Sequence, residues 1–286
     1  MIEVTIMADS ISPRGHRLTT FKCKYWRAIL AEVNTHRMLT RNSPSSRAIP
    51  VVRMMESLVN DAAMPVSWPR NQAGMQASED CDLLGRLEAE KIWLRARDSA
   101  LRYAEQLSQL GVHKQVTNRL LEPWMWTTSL ISGTDWENFF HLRVHKDAQP
   151  DFQQLAYEML VRYLESRPKE LEYGEWHMPF GDKIDPNLPK EDQVKIVVGR
   201  AARVSYLTQE GDMDCDKDIG ICNRLIGNNH WSPAEHAATA EDTDSYIGNF
   251  KGWAQYRKHF PESVENRRGN LRELLDKYEA VITKPD

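Results

Sequence analysis

The sequence predicts an α+β chain, a central and mostly antiparallel sheet packed with long helices, and a hairpin and two amphipathic helices predict it. Residues 2–8 (Ile-Glu-Val-Thr-Ile-Met-Ala) alternate well enough for a strand. Arg17–Lys24 offers a second after the turn Ser12-Pro13-Arg14-Gly15, so the pair reads as a hairpin. From Glu79 to Leu110, apolar residues (Leu83, Leu84, Leu87, Ile92, Leu94, Ala100, Leu101, Ala104, Leu107) recur at helical spacing, and Gly111 stands where a C-cap is expected. After Pro150, the set Phe152, Leu155, Ala156, Met159, Leu160 and Tyr163 marks another amphipathic helix.

A chain of 286 residues can bury a sizeable core as one large domain or two small ones. Lys+Arg 37 against Asp+Glu 41 gives a net charge of −4, and the basic residues are local, which suits a small anionic ligand better than nucleic acid. No apolar run approaches the ~20 residues of a membrane span. The start Met-Ile-Glu-Val-Thr is not a basic region followed by an apolar one, so the expectation is a soluble, cytoplasmic protein. Cys23, Cys81, Cys215 and Cys222 are too scattered for metal pairs or a disulfide framework and are expected as free thiols; Cys215, Cys222 and His230 around a metal is the disfavoured alternative. Asp-Cys-Asp-Lys-Asp (214–218) reads as a solvated acidic cap instead.

The stretch from Asn34 to Arg47 carries Arg37, Arg41, Arg47 and His36 among Ser, Thr and Asn, and looks unlike a core strand or helix. Arginine forks match phosphate or carboxylate oxygens two at a time, and the small polar residues add neutral donors. A helix over Tyr25–Met38 followed by a loop is expected, with an ordinary basic helix end as the plain alternative. A short helix near Val51–Asn60 and a turn-rich loop over 65–74 follow. Trp93 reads as a packing residue.

Trp124, Trp126, Trp136, Phe139 and Phe140 form the aromatic centre, and Asn138, His141 and Arg143 among them need hydrogen bonds or a ligand. Residues 167–191, rich in Pro, Gly, Lys and Asp, read as a surface connection. A helix is expected near Lys217–Gly227. Ser232 as N-cap, Pro233 at the first helical position and Glu235 three residues on from the cap read as a capping box. Phe250–Lys258 interleaves aromatic and basic residues, able to stack a ring but read in preference as cover for a chain join or a subunit seam. Leu271–Ile282 reads as a closing helix.

His36-Arg37-x-x-Thr40-x-Asn42-x-x-Ser45-x-Arg47 resembles the central motif of the flavin-dependent thymidylate synthases, Arg-His-Arg-x-x-Ser-x-Asn-Glu-x-Ser-x-Arg, with Thr35 for the first arginine and Ser43 for the glutamate. Further pieces are similar to that family. His113–Pro123 resembles its phosphate-contacting segment, with Arg119 at the arginine position. Trp126, Thr127, Asn138, Phe139, Leu142, Arg143, Ala148 and Gln149 match its aromatic segment, although Ser129-Leu130-Ile131 replaces Asn-Ala-Arg. Ala201-Ala202-Arg203-Val204-Ser205-Tyr206 and His230-x-Ser232-Pro233-x-Glu235-His236 match a motif pair that usually precedes the arginine motif. Here the pair follows it, as in a circular permutation, within a single domain over residues 1–286.

The resemblance implies the thymidylate synthase-complementing protein fold and conversion of dUMP to dTMP, with FAD, NADPH and methylenetetrahydrofolate as carbon donor. Ser43, Ser45, Ser46, Arg47 and Arg119 would hold nucleotide, and Arg143 would polarise the pyrimidine. His36, Arg37, Asn138, Ser232 and Glu235 would hold FAD. It also implies a homotetramer with shared sites, dUMP and folate as partners, and no nucleic acid or membrane. The alternatives are a C5 methylase or hydroxymethylase acting on dCMP or dUMP, and a non-catalytic nucleotide or nucleic-acid binder.

Overall fold

In the computed structural model, which describes residues 1–77, 79–206, 214–260, 272, 273, 275 and 276, the predicted hairpin lies inside the main sheet. Strand β1 (Glu3–Ile11) reverses through Gly15, whose φ of +82° suits a residue without Cβ, into the antiparallel β2 (Arg17–Trp26). Phe21, Cys23 and Tyr25 of β2 join one apolar core, while the alternate residues Leu18 and Thr20 meet the C-terminal half.

Because β2 continues to Trp26, the helix expected over Tyr25–Met38 shrinks to a 3-10 turn at Arg27–Ile29 and a single turn, α1 (Leu30–Val33). Pairing Tyr25 with Thr127 buries its ring fully and sets its hydroxyl 2.7 Å from Ser129 Oγ. Local helix propensity does not compete with that burial. The expected loop likewise enters the sheet, where β3 (Thr40–Asn42) pairs antiparallel with β4 (Trp126–Gly133). Leu39, Thr40 and Asn42 are buried, contrary to expectation, because distant groups satisfy the polar ones. Asn42 Nδ2 donates to the Ala201 carbonyl at 2.8 Å, and its Oδ1 accepts from Ser205 Oγ at 2.6 Å.

Helices α2 (Val51–Asn60) and α3 (Leu83–Gln109) match the apolar spacing, and Gly111 follows α3 with φ +79°. Only Leu101 and Ala104 of α3 are buried, whereas Leu83, Leu84, Leu87 and Ile92 are exposed. Trp93 packs against Trp26, Trp68 and Trp124, as its reading required. After the short α4 (Lys114–Thr117) and β4, helices α5 (Trp136–Arg143) and α6 (Pro150–Glu165) cover the apolar face of the sheet. Trp136, Phe139 and Phe140 are buried there, while Asn138 and His141 stay exposed on the outer face of α5 and need no interior partner.

The sheet order is β3-β4-β2-β1-β5, where β5 (Lys169–Glu170) runs parallel to β1 and every other pairing is antiparallel. Residues 167–191 are therefore more than a surface connection. They supply β5 and β6 (Trp176–His177), held by backbone pairing to other strands that no local periodicity announces, and bury Leu171, His177 and Ile184.

Helices α7 (Lys190–Tyr206) and α8 (Cys215–Gly227) pack closely, since a Cβ on Gly199 would overlap the Asp218 backbone. Asp214 caps α8 as expected, but Asp218 is fully buried rather than solvated. It accepts from Arg203 Nε at 2.6 Å and Arg200 Nε at 3.3 Å. A second sheet joins β6 to β7 (Ala238–Ala240), beyond which come the β8 (Tyr246–Ile247) and β9 (Phe250–Lys251) hairpin and β10 (Trp253–Gln255), which pairs with β7. Phe250, Trp253 and Tyr256 are buried in this chain's own core, so these rings do not form an open ligand-stacking face. The closing helix expected over 271–282 lies outside the described residues, apart from 272, 273, 275 and 276.

The two sheets meet through a buried polar chain. Ser10 Oγ meets His177 Nδ1 at 2.9 Å, His177 Nε2 meets Thr20 Oγ1 at 2.8 Å, Thr20 meets Ser132 Oγ at 2.6 Å, and Ser132 meets His236 Nδ1 at 2.8 Å. Burial pushes both imidazoles down to about 3, so they stay neutral.

Asp218→Asn should lower the urea-unfolding free energy by about 3–5 kcal/mol, because two buried guanidinium groups lose their shared counter-charge. An unfolded histidine takes a proton near 6.5, whereas His177 and His236 refuse it until about 3. In that window the unfolded state binds more protons, so stability is lost as the pH is lowered, by about 1.4 kcal/mol per histidine per unit. Urea midpoints should drop between about pH 7 and about pH 5, and His177→Gln should flatten the drop.

Candidate functional site

Most of the residues singled out in the sequence gather around β3. At its N-terminal end, Thr35 Oγ1 donates to the Glu32 carbonyl at 2.6 Å and closes α1. Arg41 donates from one nitrogen to the carbonyls of His36 and Leu39, holding the turn between α1 and β3. Leu39 then fits over Gly133, where a Cβ would collide with it.

Arg143, at the C-terminal end of α5, comes down onto this turn. Its Nε donates to His36 Nε2 at 2.8 Å, its Nη2 lies 3.4 Å from Thr35 Oγ1, and its guanidinium carbon lies 4.7 Å from the centre of the Phe152 ring. His36 is wedged edge-on against Phe139 and Phe152. Burial, with the charges of Arg143 and Arg41, pushes its imidazole down to about 4. Among the described residues no carboxylate pairs with Arg143, so a half-buried cation stands oriented with its charge uncancelled.

At the other end of β3, side chains from remote elements brace the loop 43–49 by its carbonyls. Arg27 donates to Pro44 O at 3.1 Å and Lys114 to Ala48 O at 3.1 Å. Asn118 Nδ2 donates to Ser46 O at 2.8 Å and Ile49 O at 2.9 Å. Ser43 Oγ meets Ser129 Oγ at 2.6 Å, which also meets the Tyr25 hydroxyl. Ser45 and Arg47 remain at the surface of this loop, and the Arg47 guanidinium makes no ion pair among the described residues. Arg119 points outward and bonds Glu122 at 2.7 Å, a carboxylate it shares with Arg27 at 3.1 Å. Burial alone would raise Glu122, but Ser46, Arg27 and Arg119 hold it below the usual carboxylate range.

The segment 232–235 is a 3-10 turn with no side-chain cap, so the expected capping box does not form. Gln255 ties it to β3 instead, donating to Glu235 O at 2.9 Å and Thr40 Oγ1 at 3.1 Å. The Glu235 carboxylate is held by Arg257. Ser232, Arg37 and Asn138 are exposed, and their side chains bond nothing among the described residues.

The structure thus brings His36 together with Arg143, and Ser43, Ser45, Ser46 and Arg47 together with the segment bearing Arg119. Glu235 is tied to β3, and Arg37, Asn138 and Ser232 are left without partners among the described residues. Sequence reasoning missed Asn118, Lys114, Arg27, Glu122 and Arg257. One signal was available, since Lys114 and Asn118 are four apart and share a face, whereas Arg119 is turned to the next. No group of three or more metal-ligating side chains forms among the described residues, and no described helix is long and apolar enough to cross a membrane. Burial raises the thiols of Cys23 and Cys222, the latter to about 12, which leaves neither as a ready nucleophile.

No protein-family model matches the chain, and no curated protein matches its sequence. Among solved structures it is similar to a UMP/dUMP methylase, PolB, from Streptomyces cacaoi. With 5-Br dUMP bound, that structure gives 13% identity and a TM-score of 0.48 over 58% of this chain and 90% of that one. With 5-Br UMP bound it gives 14% identity and a TM-score of 0.47 over 58% and 89%.

The bracing of the loop can be separated from its exposed arginine by unfolding measurements. Asn118→Ala should cost about 1–3 kcal/mol, since two buried carbonyls lose their donor. Arg119→Ala should change stability by no more than about 1 kcal/mol, because its ion pair is largely solvated.

Proposed function

We propose that the chain is a flavin-dependent pyrimidine nucleotide C5 methylase, a thymidylate synthase that converts dUMP to dTMP with methylenetetrahydrofolate as carbon donor and NADPH as reductant. The observation that carries this reading is Arg143. It is a half-buried guanidinium with no carboxylate among the described residues, aimed by His36 and Thr35 beside an arginine motif. Uracil becomes nucleophilic at C5 only when electron density is pushed there, and a cation against a ring carbonyl stabilises the negative charge that develops. Arg143 supplies that charge without an enzyme nucleophile, in keeping with the raised thiols of Cys23 and Cys222.

In this reading Ser43 and Ser45 hold the sugar and the near side of the phosphate. Arg47 completes the phosphate site, with Arg119 once released from Glu122, whereas Ser46, expected from the sequence to meet the phosphate, is buried against Glu122 and supports the loop from beneath. The donor set also suits FAD. Arg37 is free to meet a diphosphate, and Asn138 and Ser232 offer neutral groups to ring edges. His36 already serves Arg143 and so acts on the pyrimidine site through that arginine, while Glu235 is engaged with Arg257 beside β3. FAD, when bound, supplies the reducing electrons that complete the methyl group. Assembly as a homotetramer would cover the exposed leucines of α3 and let neighbouring subunits complete each site. Because Ser43 presents a neutral hydroxyl where the resembled family has a carboxylate, dCMP is the second substrate to try.

The test is tritium release from 5-labelled dUMP with methylenetetrahydrofolate, NADPH and FAD, repeated with dCMP. Wild-type protein should release tritium, and Arg143→Ala should lose about 10²-fold or more in turnover while keeping its flavin absorbance. Undiminished turnover in that variant would overturn the assignment.

A further inference from the structure

The hydrogen bond between Arg143 and His36 has only one chemically allowed polarity. An arginine Nε carries a hydrogen and has no lone pair to offer, so at 2.8 Å it donates, and His36 Nε2 accepts. The His36 proton is therefore on Nδ1. Thr35 obeys the same logic: its hydroxyl hydrogen is spent on the Glu32 carbonyl, which leaves the oxygen lone pairs facing Arg143 Nη2. Two consecutive residues thus present acceptors to the Nε–Nη2 edge of one guanidinium, and Phe152 lies beneath its plane. Nη1 has no partner among the described residues. An arginine at position 35, as in the resembled motif, would set a like charge against this edge, so Thr35 and the placement of Arg143 fit one another.

We propose that His36, as its Nδ1–H tautomer, is the positioning residue of Arg143: with Thr35 it holds the Nε–Nη2 edge so that Nη1 is the nitrogen presented to a ligand, and its own ring edge is thereby withdrawn from flavin contact. The tautomer follows from geometry alone, while the kinetic consequence rests on the methylase reading.

Two measurements test this on the full-length protein. In 15N-histidine-labelled protein, with the His36 signals assigned by their loss in His36→Gln, long-range 1H–15N spectra should show a bare Nε2 and a protonated Nδ1. A protonated Nε2, or averaging between the tautomers, overturns the proposal. In steady-state turnover, His36→Ala should lower kcat by about 10²-fold through misplacement of Arg143, with FAD content and the KM for FAD unchanged. His36→Gln, whose side-chain oxygen reaches the place of Nε2, should recover most of that loss. A His36→Ala protein that loses FAD and regains full turnover at saturating FAD would make His36 a flavin contact and refute the positioning role. If wild-type protein shows no turnover at all, the methylase reading fails, and the tautomer measurement still decides how Arg143 is held.

Discussion

A buried polar strand must find a partner for each group it takes out of water, and β3 meets that demand only from far along the chain. Asn42 is satisfied from α7, and Thr40 receives hydrogen bonds from Gln255 and Asn249. Leaving one such group unpaired would cost on the order of 1–3 kcal/mol. The C-terminal half is therefore drawn onto the arginine stretch by the polarity that made the stretch look like a loop. Segment 201–205 reaches β3 by bonding Asn42, and segment 232–236 is held beside it by Gln255, which donates to both Thr40 and the Glu235 carbonyl.

The arginines of the site differ less in position than in what cancels them. Arg27 and Arg119 share Glu122, and Arg257 is spent on Glu235. Arg143 and Arg41 bond only neutral acceptors, and among those His36 is kept uncharged by burial and by the two cations beside it. Positive potential at the N-terminal end of β3 is thus left for an anionic or electron-rich ligand. At the far end a phosphate would meet Arg47 directly and Arg119 only in competition with a resident carboxylate.

What the sequence revealed follows from which forces are local. The hairpin, α3 and α6 were legible because each writes its own period of two or 3.6 into consecutive residues. β3, β5 and β6 were not, because each is two or three residues long and owes its existence to an edge supplied by a distant strand. Tyr25 belonged to a strand for the same reason. The pairing of His36 with Arg143 was half legible, since the resemblance marked both residues but assigned them to different ligands. Asn118 was hidden by its neighbour: a spacing that aligns Arg119 with a phosphate contact overlooks that one 3-10 step, about a third of a turn, directs Asn118, and not Arg119, toward the loop.

Tertiary assembly also makes the order of segments secondary to their contacts. The polar chain from Ser10 through His177, Thr20 and Ser132 to His236 links five separate stretches, and each link is a short hydrogen bond between side chains that are almost wholly buried. None of those bonds depends on which stretch comes first in the sequence. Each requires only that the connecting segments let the elements meet, and the cost of closing a longer connection grows slowly with its length. A site built this way is specified by register and by buried polar partners. That is why segments 201–205 and 232–236, far along the chain, converge on one strand through Asn42, Thr40 and Gln255.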